Sequence, residues 1–109
     1  MMDEQDFRLR CDQALNDLYK ALLKAADTHE IEVDENAGAL TVEFEDPPAK
    51  FVVSPNAPVR QIWVSALTRS FKLDWKAERS EFVLAKTGAS LKELMASVIG
   101  TQLGETVQL

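Results

Sequence analysis

The spacing of apolar residues changes twice along this chain, and that double change limits the fold more than any single motif does. Phe7, Cys11, Ala14, Leu15, Leu18, Leu22 and Ala25 recur at steps of three and four, which places them on one stripe of a helix. The stripe predicts a helix from Glu4 to Ala26, and Asp3, Glu4 and Asp6 at its start suit the positive end of the helix dipole. From Ile31 the period becomes two. Ile31 and Val33 alternate with Glu32 and Asp34, and Leu40, Val42 and Phe44 alternate with Thr41, Glu43 and Glu45, the signature of strands with one apolar face. After Gly88 the longer period returns through Leu91, Leu94, Met95, Val98 and Leu103.

Turn chemistry divides the middle of the chain. Asn36-Ala37-Gly38 separates the first two strands, and Asp46-Pro47-Pro48-Ala49 breaks the second. Phe51-Val52-Val53 is a third strand whose inward face periodicity does not assign. Pro55 and Pro58 bracket a loop before a fourth strand, Arg60 to Ala66. Phe71–Asp74 and Phe82–Ala85 form fifth and sixth strands around the charged turn Lys76 to Glu81. Ser90 and Glu93 make a capping box for the second helix, Gly104 ends it, and Glu105 to Leu109 remain as a tail. Links this short exclude parallel crossovers. The expected fold class is therefore α+β: a two-layer sandwich with an antiparallel sheet of about six strands. Both terminal helices lie on one face and the other face is left to solvent. At 109 residues the length predicts one domain.

Charge and cysteine usage remove several function classes. Thirteen of the eighteen acids lie in residues 1–46 with only four of the twelve bases, and the remainder is net positive. An acidic half repels phosphate, so nucleic-acid binding is not expected; it attracts cations or a basic protein surface. Cys11 is the only cysteine and sits on the helix stripe, so neither a disulfide framework nor a cluster held by Cys-x-x-Cys is available. No glycine-rich phosphate loop is present, and His29, the only histidine, lies between helix and strand, away from Cys11. No apolar run approaches a membrane span and no charged-then-apolar leader opens the chain. A cytoplasmic protein is expected, or a mitochondrial-matrix protein if this is a processed eukaryotic chain.

Two features carry chemistry. Carboxylates crowd the helix start (Asp3, Glu4 and Asp6, with Asp12 further along) and the helix exit and first strand (Asp27, Glu30, Glu32, Asp34 and Glu35). Oxygen donors without thiolates suit hard cations such as Fe²⁺, Fe³⁺, Mn²⁺, Ca²⁺ or Mg²⁺. No loop spacing organises them into a cage, so binding should be shallow and unselective. The second feature is Trp63. In Gln61-Ile62-Trp63-Val64-Ser65-Ala66 it falls with Gln61 and Ser65, opposite Ile62, Val64 and Ala66. Either the register is slipped and Trp63 is core, or a large aromatic stands on a polar sheet face as an interface anchor beside an amide.

The element order, the strand Gly38-Ala39-Leu40-Thr41-Val42-Glu43-Phe44, the run Gln61-Ile62-Trp63-Val64-Ser65 after Pro58, and the closing Gly104-Glu105-Thr106-Val107 resemble the frataxin family, its bacterial members above all. The resemblance covers Phe7 to Leu109 and implies one frataxin-like domain over 1–109. It further implies a small acidic protein serving iron–sulfur cluster assembly. Such a protein binds ferrous and ferric iron weakly and docks on the cysteine desulfurase and its scaffold protein. Positions matching the family's acidic ridge are Glu4, Asp6, Asp12, Glu30, Glu32 and Asp34; those matching its partner-binding sheet residues are Gln61 and Trp63, with Asn56 as a comparable amide. Lys20 and Lys24 thin the ridge, Thr68-Arg69-Ser70 lacks a common glycine, and Phe82 stands where a second tryptophan is frequent. The leading expectation is a non-enzymatic, monomeric regulator that meets no membrane. The alternatives are an iron-storage or ferroxidase-like protein that oligomerises with iron, and an acidic interaction module without metal.

Overall fold

The computed structural model describes residues 2–45 and 47–109. Helix α1 spans Glu4–Ala25 and helix α2 spans Leu91–Leu103. Between them lie β1 (Glu32–Asn36), β2 (Ala39–Glu45), β3 (Pro48–Asn56), β4 (Gln61–Ala66), β5 (Arg69–Lys76) and β6 (Glu81–Leu84), with a short 3₁₀ turn at Ala57–Val59. The strands form one antiparallel sheet in sequence order, β1 to β6. No helix among the described residues is long and apolar enough to cross a membrane.

The helix ends follow their sequence signals. Asp3 caps α1 by accepting from the Asp6 N–H at 2.8 Å. The capping box of α2 forms in full, with the Ser90 N–H donating to Glu93 Oε1 at 2.9 Å and the Glu93 N–H donating to Ser90 Oγ at 3.2 Å. The Ser90 N–H, helped by the Ser90 hydroxyl beside the carboxylate, holds the Glu93 carboxyl below the usual carboxylate range. Gly104 ends α2 in the left-handed region.

One core lies between the helix layer and the inner sheet face. Phe7, Leu18 and Leu22 of α1 and Met95 and Ile99 of α2 meet Leu40, Val42, Phe51, Val53, Ile62 and Leu73 of the sheet, all 1% exposed or less. Burial of side chains this size contributes roughly 1.5–3 kcal/mol each. Phe82 packs edge-on against both Phe7 and Trp75, at 6.0 and 5.2 Å between centroids, so one aromatic ties α1 to the last two strands. Cys11 is 2% exposed on the α1 stripe, and burial, with the Asp12 charge beside it, pushes its thiol up to about 12. A thiol held protonated this firmly is a core residue and a poor nucleophile. The native protein is expected to resist alkylation at pH 8 and to react only as it unfolds. Because the folded-state value is raised, this group favours the folded state below about pH 9 and loses that contribution as pH rises toward 12. Denaturation at pH 8 and pH 10.5 should therefore show a smaller alkaline loss in Cys11→Ala than in the parent.

Three sequence expectations change. Pro55 does not open a loop; it sits in β3 opposite Ile62, past the start of β2 at Ala39. There β3 has a ladder on one side only, a place proline tolerates. Pro48 and Ala49 likewise belong to β3, pairing with Glu45 and Phe44, while Asp46 lies outside the described residues. Strand β5 starts at Arg69, not Phe71, and runs to Lys76, because a two-residue turn, Leu67–Thr68, closes the β4–β5 hairpin. Both turn residues have positive φ, 54° and 61°. Ile99 joins the apolar stripe of α2, and the tail packs back on the molecule with Val107 buried.

Candidate functional site

The β4 alternation resolves on the side of an outward tryptophan. Ile62 is 0% exposed, whereas Trp63 is 37% exposed on the opposite face. Cross-strand pairing then builds its surroundings. Trp63 lies opposite Ser54 on one side and Lys72 on the other, Gln61 lies between Asn56 and Asp74, and Ser65 lies between Val52 and Ser70. Directly opposed residues share a face, so Asn56, Gln61, Trp63, Lys72 and Asp74 form one polar surface without a covering helix.

That surface is fixed in place. The Trp63 indole N–H donates to Gln61 Oε1 at 2.9 Å, and Gln61 Nε2 donates to Asp74 Oδ1 at 3.0 Å. Lys72 Nζ stands 4.9 Å from the centre of the Trp63 ring, a contact of about 0.5–1 kcal/mol at an exposed site. The indole is thus held upright by a three-residue chain and a cation. Its ordering entropy is spent in the free protein, which favours binding.

Sequence reasoning picked out Trp63 and Gln61 but missed Lys72 and Asp74. The signal that finds them is the length of the Leu67–Thr68 turn, which sets the β4–β5 register and brings Lys72 beside Trp63 and Asp74 beside Gln61.

The six ridge carboxylates occupy separate stations. Glu32 and Asp34 lie on the same outer sheet face as Trp63, Glu32 opposite Glu43 and Asp34 opposite Thr41. Glu43 in turn faces Lys50. Glu30 is exposed just before β1. Glu4 is exposed and makes a loose pair with Arg8 at 3.9 Å. Asp6 lines a cleft of about 570 Å³ with Arg10, Arg60, Asp74 and Trp75. Asp12 lines a smaller one, about 290 Å³, with Tyr19 and Glu35. Among the described residues no three His, Cys, Asp or Glu side chains converge on one point. Opposed carboxylates such as Glu32 and Glu43 suit a hydrated hard cation held at the surface; they do not make a cage. His29 is engaged elsewhere, its Nδ1 bonded to Glu105 of the tail.

A sheet whose uncovered face, not a cleft, carries the distinctive side chains, backed by two helices on the other side, is the architecture of frataxin-like proteins. The chain belongs to that family: the frataxin-like domain model matches residues 1–105. It is 27% identical to the iron-sulfur cluster assembly protein CyaY of Janthinobacterium sp. (strain Marseille), over 99% of this chain and 96% of that one. It is 29% identical to the protein of the same name from Azotobacter vinelandii, over 91% of each chain. The solved structure of frataxin from Psychromonas ingrahamii superposes with a TM-score of 0.77 at 22% identity, over 98% of this chain and 97% of that one, a likeness of fold.

Proposed function

We propose that this chain serves iron–sulfur cluster assembly as a non-enzymatic regulator that docks on the cysteine desulfurase and its scaffold protein. The observation that carries the reading is Trp63, a large aromatic exposed on a polar sheet face yet tied through Gln61 to Asp74. A core tryptophan needs no such support, and an idle surface position is seldom given a tryptophan. The names borne by the relatives supply the process.

In this reading the acidic edge, Glu30, Glu32 and Asp34, is drawn to a basic surface of the assembly complex and speeds encounter. Trp63 then fills a pocket, and Gln61 and Asn56 supply directional hydrogen bonds without a charge to desolvate. Ferrous or ferric iron is cargo or signal, held weakly by Glu32 and Asp34 with help from Glu43, and more loosely near Glu4, Asp6 and Asp12. Affinity should be low because no station offers three converging donors.

The test is a heteronuclear NMR titration of the labelled protein with its own organism's cysteine desulfurase, anaerobically, with and without ferrous iron. Shifts are expected at Glu30–Asp34 and at Gln61–Ser65. A flat response to the desulfurase while iron still broadens the acidic residues overturns the docking and leaves only metal binding.

A further inference from the structure

Strand β5 is longer than the strand that borders it. It spans Arg69–Lys76, but β6 pairs only with Leu73 to Lys76. After Leu84 the chain turns away: the Gly88 N–H donates to the Leu84 carbonyl at 2.7 Å, and the Leu84 N–H donates to the Ala89 carbonyl at 2.8 Å. The edge of β6 is thereby covered, with Val83 bridged to Ser90, while the first half of β5 is left as an open edge. Pairing in a two-residue hairpin alternates, with the closing pair, Ala66 and Arg69, hydrogen-bonded. The backbone groups of Ser70 and Lys72 therefore point outward. The Leu73–Leu84 pair is then a wide one, which brings the Ala85 N–H to the Lys72 carbonyl and leaves both Ser70 groups and the Lys72 N–H without a β6 partner.

Beside this edge lies a groove of about 860 Å³ running under α2. Its apolar wall is Leu67, Phe71, Leu84, Leu94 and Val98. Its rim is basic, from Arg69, Lys72 and Lys86, with the Arg69 guanidinium 5.1 Å from the centre of the Phe71 ring. The acid on the same wall, Glu93, is already bound to the Ser90 N–H and lies 3.9 Å from Arg79. On a chain of net charge −6, this is a positive patch set around an unpaired strand edge and an apolar trough.

We propose that the first half of β5 is a strand-addition site for an extended partner segment in which apolar side chains alternate with carboxylates. The segment would bond the outward N–H and carbonyl of Ser70 and the outward N–H of Lys72. Its apolar side chains would enter the groove toward Leu94 and Val98, and its carboxylates would face Lys72 and Lys86. Alternation matches strand geometry, and the basic rim sets the sign of the charge. The surface is distinct from the Trp63 face except at Lys72, which borders both.

The test uses the full chain and a synthetic eight-residue peptide alternating valine and glutamate, with blocked ends. In a ¹⁵N titration, saturable shifts are expected at Ser70, Lys72, Lys86 and Val98. Two variants separate the contributions. Ser70→Pro removes an outward N–H that β4 does not use, and the pair Arg69→Glu with Lys86→Glu reverses the rim. Each should weaken binding at least about tenfold while the remaining amide spectrum stays in place. If Ser70→Pro fails to fold, the charge-reversed pair decides alone. No saturable shift, shifts confined to Gln61–Ser65, equal binding of a valine–lysine peptide, or unchanged affinity in the variants overturns the proposal. Concentration-dependent broadening of these amides without peptide also overturns it and makes the edge a contact between copies.

Discussion

Trp63→Ala is expected to leave the domain folded and to weaken its complex with the cysteine desulfurase by about 2 kcal/mol or more, roughly thirtyfold in Kd. Its neighbour should do the reverse. Ile62 is fully buried on the other face of the same strand, so Ile62→Ala leaves a cavity in the core and costs ~2–5 kcal/mol of stability. The Trp63 side chain gives the fold little beyond its contact with Lys72 and its bond to Gln61, both on the solvent side. Losing them should cost about 1–2.5 kcal/mol. The two variants thus form a crossed pair, read by chemical denaturation and by titration with the desulfurase. If Trp63→Ala unfolds the domain, or if it folds and binds as the parent does, the tryptophan is not the anchor proposed. Gln61→Ala adds a finer check. It frees both the indole N–H and Asp74, so it should weaken binding less than Trp63→Ala and in the same direction.

The crossed pair was legible from six residues because β4 is half-buried and its alternation is unbroken. The helices were legible for a similar reason: each buries one stripe and carries its cap in sequence. Legibility failed where a residue's surroundings are set by the register of a neighbour. Asp74 and Lys72 are ordinary charged residues in sequence, and only the Leu67–Thr68 turn places them beside Gln61 and Trp63. That turn lacks glycine and asparagine, the residues that normally announce two successive positive φ values, so the start of β5 was hidden. Pro55 misled in the opposite sense: a strong turn signal was overridden because β2 begins short of it. The acidic ridge is legible as composition but not as geometry. Sequence places its carboxylates on α1 and β1, whereas the pairing of Glu32 with Glu43 depends on the Ala37–Gly38 turn and the register it sets. The link from His29 to Glu105 spans most of the chain and leaves no local trace.

The tail supplies the other large expected effect, at Gly100. In a helix interior an alanine normally outperforms glycine by about 1 kcal/mol, so Gly100→Ala looks stabilising from sequence. Here a Cβ would sit 2.8 Å from the Glu105 carbonyl oxygen, a backbone atom in a segment with little room to retreat. The Gly104 and Glu105 N–H groups both donate to the Gly100 carbonyl, at 2.8 and 3.1 Å. Two residues on, Val107 is buried against the core. Relieving the clash means lifting the turn, loosening these bonds and withdrawing Val107. Overpacking of this kind costs about 1–3 kcal/mol and outweighs the propensity gain. Gly100→Ala is therefore expected to lower stability by up to ~2 kcal/mol net, against ~1 kcal/mol for Gly104→Ala. At Gly104 the space is open and only the positive φ is strained. A double-mutant cycle with Val107→Ala tests the cause. If the tail is what resists the added methyl, Gly100→Ala must cost less once Val107 no longer anchors it, giving a coupling of at least about 0.5 kcal/mol. Strict additivity, or a stabilising Gly100→Ala in the intact chain, would mean the tail is not packed as described.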